Sequence, residues 1–198
     1  MSLHLIFGGM FSGKSEQLLR MSKIHRDKGL NCILVNYKGD TRYGINVLST
    51  HTDSYGNQVK VEAICCSDLN DIREDLFIAH VIGIDEIQFF PDCVALILKL
   101  IQMGKKIFVA GLDADFKQKP FPGSCLNELI PYAQTVEKLL AVCDFCPIGE
   151  KPHKAPMSWR TADGTETKVV GGSDKYGAIC HHCLAEENKV RRVKPKPV

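Results

Sequence analysis

The 198-residue chain has no apolar run approaching the roughly 20 residues that a bilayer-spanning helix requires. Its longer apolar stretches, such as 94–101, fall far short, so no membrane association is expected. The N-terminus also lacks the basic region, extended apolar core and cleavage site of a signal peptide, because residues 1–7 run straight into a glycine motif. The chain is therefore expected to remain in the cytoplasm. An excess of charge of one sign is missing too: a net +2 gives little electrostatic reason to grip a nucleic-acid backbone, and the partner is expected to be a small molecule. Internal repeats and long low-complexity segments are missing. What remains is an ordinary globular composition, 44% hydrophobic and 24% charged. The length suits one core of about 150 residues plus a smaller appendage.

Residues 3–7 form a short apolar run ending in Gly8-Gly9, and residues 15–28 then carry Leu18, Leu19 and Ile24 at roughly helical spacing. This reads as strand, loop, helix. Further apolar runs at 32–35, 81–84 and 107–112 read as strands buried on both faces, as in a parallel sheet. Pro91 is expected in a first helical turn that leads into Val94, Leu96, Ile97, Leu100 and Ile101, with Gly104 ending that helix. The expected architecture is α/β: a P-loop NTPase-type parallel sheet over residues 1–141. From about Val142 paired cysteines, prolines, glycines and polar stretches replace the long apolar periods. A small zinc-ribbon and lasso domain is expected over 142–190, followed by a basic, solvated tail at 191–198.

Gly8-Gly9-Met10-Phe11-Ser12-Gly13-Lys14-Ser15 satisfies G-x-x-x-x-G-K-[ST] between a predicted strand and a predicted helix, the context that this motif needs. Glycines let backbone amides close around phosphate oxygens, and the helix N-terminus adds a favourable dipole. Lys14 supplies a compact cation, and Ser15 can ligate magnesium. The alternative is a glycine-rich turn without a ligand. ATPases, GTPases and kinases share this cradle, so the loop alone does not choose between hydrolysis and transfer.

Residues 81–84 end in Asp85-Glu86, and in a parallel sheet that strand end lies beside the phosphate loop. Asp85 fits a magnesium role. Glu86 can accept the proton of an attacking hydroxyl, whether that hydroxyl belongs to an alcohol or to water.

Nine cysteines in a cytoplasmic chain should be mostly reduced, so paired cysteines read as metal ligands before disulfides. Cys143-Asp144-Phe145-Cys146 and Cys180-His181-His182-Cys183 are two C-x-x-C knuckles able to make a closed tetrahedral zinc site. With no open coordination position the zinc role is structural, and the long segment between the knuckles becomes a lasso with clamped ends. His181 or His182 as a substitute ligand is the alternative, as are reduced cysteines without metal. Cys32, Cys65, Cys66, Cys93 and Cys125 form no knuckle and are expected to be core or surface thiols.

With these residues in hand, the chain resembles the type II thymidine kinase family of animal cytosol, bacteria and large DNA viruses. The resemblance runs from residues 8–15 through Asp40-Thr41-Arg42-Tyr43 and Ile84-Asp85-Glu86-Ile87-Gln88-Phe89-Phe90-Pro91-Asp92. It continues through Lys119-Pro120-Phe121, the first knuckle, Gly171-Gly172-Ser173-Asp174-Lys175-Tyr176 and the second knuckle. It implies an ATP-dependent kinase acting on thymidine or deoxyuridine, with Glu86 as the base for the 5′-hydroxyl and Arg42 with Lys14 on the phosphates. Asp85 and Ser15 would organise magnesium. A thymine pocket is implied from Met10, Phe89, Leu112, Phe116, Phe121 and Tyr176, with the backbone near Val170 and the Ser158 side chain at the base edge. Gln88, counted with the cofactor-binding set, and His51 are placed near the site by position alone. A homotetramer with feedback by thymidine triphosphate is implied as well.

The chain departs from the family pattern at Met157, where an aromatic is usual, at Trp159, where a basic residue is common, and at Ala114-Asp115, where a Gly-Thr-like pair precedes Phe116. The last of these is expected to bring a charge near the pocket. Two rival readings stand beside the kinase: a P-loop ATPase with a nucleic-acid-binding zinc ribbon, and a nucleotide-sensing zinc protein without turnover.

Overall fold

The computed structural model describes residues 1–40, 44, 46–50, 58–91, 93–121, 124–147, 149, 151–161 and 172–186. The main elements in chain order are β1 (Ser2–Gly8), α1 (Lys14–Arg26), β2 (Cys32–Tyr37), β3 (Val47–Ser49), β4 (Lys60–Glu62), β5 (Ile64–Cys66), α2 (Arg73–Ile78) and β6 (Val81–Ile84). There follow α3 (Val94–Gln102), β7 (Lys106–Gly111), α4 (Leu126–Leu129), β8 (Thr135–Leu139), β9 (Ala141–Val142), β10 (Lys154–Ala155), β11 (Met157–Arg160) and β12 (Tyr176–Ile179).

Six strands make one sheet in the order β5-β2-β6-β7-β1-β8, and every neighbouring pair is parallel. The alternation of side chains explains why its inner strands are apolar throughout. Leu3, Leu5 and Phe7 of β1 join Ile82, Val109, Ile97 and Leu100 in the core on one face. Ile6, one residue out of phase, joins Leu34, Phe108, Leu18 and Leu19 on the face that α1 covers. Helices on both sides of a parallel sheet are the α/β arrangement expected. The strands expected at 3–7, 32–35, 81–84 and 107–112 are β1, β2, β6 and β7, within one or two residues at their ends.

Helix α3 ends as expected. Gly104 is left-handed at φ 84°, its N–H donates to Ile101 O, and Lys105 N–H donates to Leu100 O, which closes the last turn. Its start differs from the expectation: α3 begins at Val94 rather than around Pro91. Residues preceding proline avoid the helical region, and Phe90 is extended at φ −101°, ψ 95°, so the chain leaves the 3-10 turn Ile87–Phe89 before re-entering a helix. Two further cysteines need correcting. Cys93 and Cys125 are not free thiols but a disulfide bridging 32 residues of sequence. The fold brings the N-cap of α3 to the N-cap of α4 inside the core, a proximity that spacing along the chain does not reveal.

Beyond β8 a separate apolar cluster gathers Ala141, Ala155, Trp159, Ala178 and Ile179 with Cys143, Cys180 and Cys183, and Phe11 of the glycine loop packs against it. Two small antiparallel ribbons, β9 with β10 and β11 with β12, build this cluster. Among the described residues no helix is long and apolar enough to cross a membrane.

Candidate active site

In a parallel sheet every strand points the same way, so the segments leaving the strands gather along one edge. Here residues 9–13 leave β1, Asp85 and Glu86 leave β6, and Leu112 leaves β7. The glycine loop turns sharply into α1 because Gly13, its N-cap, is left-handed at φ 84°. Gly9 has a different reason: a Cβ there would lie 3.1 Å from the backbone of Met157, so any side chain would crowd β11 against the loop. The Lys14 ammonium donates to Gly9 O at 2.6 Å, and the Ser12 hydroxyl donates to the same carbonyl at 2.9 Å, closing the loop into a ring.

The Ser15 hydroxyl donates to Asp85 Oδ2 at 2.5 Å, and Glu86 N–H donates to Asp85 Oδ1 at 2.9 Å. This joins the start of α1 to the end of β6, as the glycine and acidic motifs require. Burial, and next the neighbouring Glu86 charge, push the Asp85 carboxyl up to about 7, against the hydrogen bonds and the Lys14 cation that favour its ionised form. Glu86 is a left-handed non-glycine residue at φ 54°, a conformation that costs on the order of 1–3 kcal/mol and concentrates at functional sites. Gln88, buried at 2% exposure, donates from Nε2 to Glu86 Oε2 and accepts Leu112 N–H at Oε1, 2.9 Å away.

The aromatic residues form two groups. Phe89 and Phe121 meet edge to face with ring centroids 5.9 Å apart, and Tyr37 packs on Phe89 at 4.9 Å. Phe116 and Tyr176 flank one guanidinium, that of Arg160, at 5.3 and 6.0 Å. Burial raises the Tyr176 phenol above its ordinary range, and the Arg160 charge opposes this. Ser158 reaches the glycine loop: its Oγ accepts Met10 N–H at 2.9 Å. Arg42, His51 and Val170 lie outside the described residues.

The sulfurs of Cys143, Cys146, Cys180 and Cys183 all lie within 4.8 Å of one another. Backbone N–H groups point at them, Cys180 N–H to Cys143 Sγ and Cys183 N–H to Cys180 Sγ, an arrangement that favours thiolate. Four mutually close sulfurs are the donor set of a structural zinc site, with no position left open. His181 and His182 are not in this set. A different histidine stands beside it: His153 Nδ1 lies 3.5 Å from Cys146 Sγ.

A family model described as thymidine kinase matches residues 1–184. The chain belongs to the thymidine kinase family. Thymidine kinase of Myxoma virus (strain Uriarra) is 40% identical over 181 residues, covering 91% of this chain and 94% of its own. Cytosolic thymidine kinase of Gallus gallus is 40% identical over 195 residues, covering 94% and 82%. Thymidine kinase 1 of Dictyostelium discoideum is 36% identical over 194 residues, covering 98% and 82%. Among solved structures, replication initiator DnaA bound to AMPPCP and single-stranded DNA covers 70% of this chain at TM-score 0.42 and 13% identity, a likeness too slight to carry weight.

Set within the thymidine kinase family, the departures at Trp159 and Asp115 find physical explanations. Trp159 alternates with Ser158 and Arg160 along β11, so its ring packs into the cysteine-bearing cluster while its two neighbours face the other way. Asp115 does not present a loose charge to the pocket. Its Oδ1 accepts Lys117 N–H at 2.8 Å and Lys119 N–H at 3.0 Å, and this holds the turn that carries Phe116. No sequence signal singled out Gln118 or His153, and Arg160 was overlooked. The Gln118 amide donates to Phe116 O at 2.8 Å, and its role depends on the turn closed by Asp115. Period-two alternation beside Ser158 was the one available pointer to Arg160.

Proposed function

We propose that the chain transfers the γ-phosphoryl group of ATP to the 5′-hydroxyl of thymidine. The observation that carries this is the contact of Ser15 with Asp85, which brings the phosphate-binding motif and the acidic strand end together next to Glu86, in a chain of the thymidine kinase family. Family membership favours a nucleoside acceptor over hydrolysis, and deoxyuridine is proposed as a second acceptor. Backbone amides of residues 9–15 with Lys14 and Arg42 would hold the phosphates. The Ser15 hydroxyl and Asp85 carboxylate are hard oxygen donors suited to magnesium, which when bound supplies neutralisation of phosphate charge. Glu86 would take the proton of the 5′-hydroxyl.

Met10, Leu112 and the two aromatic groups would supply apolar walls for a flat base, with Ser158 at its edge; a role for the backbone near Val170 is proposed on family resemblance alone. We propose a two-unit organisation: residues 1–141 bind ATP, and 142–190, held by zinc, cover the nucleoside and exclude water. Thymidine salvage in the cytoplasm, a homotetramer and feedback by thymidine triphosphate are proposed on family resemblance alone. The test is transfer of labelled γ-phosphate to thymidine, deoxyuridine, deoxycytidine, deoxyguanosine and water. Thymidine labelling that falls by about 10²–10⁴-fold in Glu86→Gln is the expected result. Hydrolysis indifferent to every nucleoside would overturn the reading.

A further inference from the structure

Gln88 is held from two sides by groups that leave its amide no choice of orientation. Leu112 N–H can only donate, so the oxygen of the amide must face it, and the NH₂ group must then face the Glu86 carboxylate. The side chain is 2% exposed, where an amide that lost either partner would be left with a buried unsatisfied group. Packing fixes it further: a Cβ on Gly111 would lie 2.7 Å from Gln88 Oε1 and 2.6 Å from Ile87 Cγ2. A short 3-10 turn, Ile87–Phe89, sets the spacing, because Glu86 and Gln88 flank Ile87 and Phe89 N–H closes back on Glu86 O.

We propose that Gln88 is a positioning residue for Glu86. It ties the carboxylate at the end of β6 to the backbone at the end of β7, the segment that also carries Leu112 of the nucleoside pocket. Glu86 sits in a left-handed backbone conformation, and a charge-assisted hydrogen bond from a locked amide fixes where its carboxylate points. Base and pocket thereby share one rigid frame. The inference rests on the reading of Glu86 as the base.

The test compares Gln88→Met and Gln88→Glu with the unaltered enzyme in thymidine phosphorylation, alongside Glu86→Gln. Methionine keeps the volume and removes both hydrogen bonds. Glutamate keeps an acceptor for Leu112 N–H and puts a second carboxyl group where the donor to Glu86 stood, which turns the attraction into like-charge repulsion when both are ionised, so it remains informative where methionine prevents folding. Both variants are expected to lose kcat on the order of 10²-fold, as for a misplaced catalytic group, with KM for thymidine and the affinity for ATP unchanged. Unchanged kcat in Gln88→Glu overturns the proposal, and so does a raised KM with unchanged kcat, which marks direct contact with substrate. Wild-type turnover in Glu86→Gln is a different failure, because it removes the base itself.

Discussion

Residues 1–139 and residues 141–183 bury their apolar side chains in different ways. In the sheet, both faces of β1, β6 and β7 are covered, and long aliphatic and aromatic side chains such as Leu5, Ile82, Ile97 and Phe108 fill the two layers. The cluster beyond β8 has Trp159 and Ile179 as its large members, with Ala141, Ala155, Ala178 and the cysteines around them. So small a core rarely supplies more than about 3–5 kcal/mol, and such units rely on a metal or cross-link. Burial organises the sheet, whereas the cysteine unit pairs a small apolar core with the donor set of a zinc site. Glycine-loop residues Met10 and Phe11 sit where the two meet.

The largest effect is expected from disabling the four-cysteine donor set. Structural zinc in small domains is worth on the order of 10 kcal/mol of folding free energy, so Cys180→Ser or chelation is expected to unfold residues 141–183 selectively. Limited proteolysis should then cut within this unit, and transfer to thymidine should be lost while ATP still binds. Global unfolding at the same midpoint as the sheet would show one cooperative unit instead.

A cross-link in the sheet sharpens the contrast from the other side. Cys93 and Cys125 close a long loop between elements that burial already holds, so Cys125→Ser is expected to cost about 3 kcal/mol in denaturant midpoint without changing the fold. Loss of the native circular dichroism spectrum would mean that the sheet too depends on covalent ties.

A third effect concerns pH. Asp85, raised to about 7 from an ordinary 3.8, holds a proton in the folded chain that the unfolded chain releases. Stability from this proton is complete below about pH 4 and is lost as pH rises through 7. Metal-free protein should therefore weaken over that interval, and Asp85→Asn should flatten the slope, as thermal midpoints would reveal. An unchanged slope in Asp85→Asn would assign the pH dependence to other groups.

How much of this could be read in advance differs by feature. The glycine loop, the acidic strand end and the two cysteine knuckles each confine their chemistry to a few consecutive residues, so local spacing is enough to recognise them. Inner strands were legible because burial on both faces leaves a continuous apolar run. β8 was not, since Thr135–Leu139 is exposed along most of its length at the sheet edge and carries no apolar pattern.

Sequence by itself determined the phosphate cradle, the carboxylate pair and the thiolate set, because backbone geometry and donor type follow from adjacent residues. Tertiary structure alone decided that Cys93 meets Cys125, that Asp115 closes a turn, that Arg160 stands between Phe116 and Tyr176, and that Gln88 spans from Glu86 to Leu112. Most of these contacts join segments far apart along the chain, and even the local turn at Asp115 depends on which way its side chain points. Their chemistry exists only once packing has set distance and direction, which no local pattern encodes.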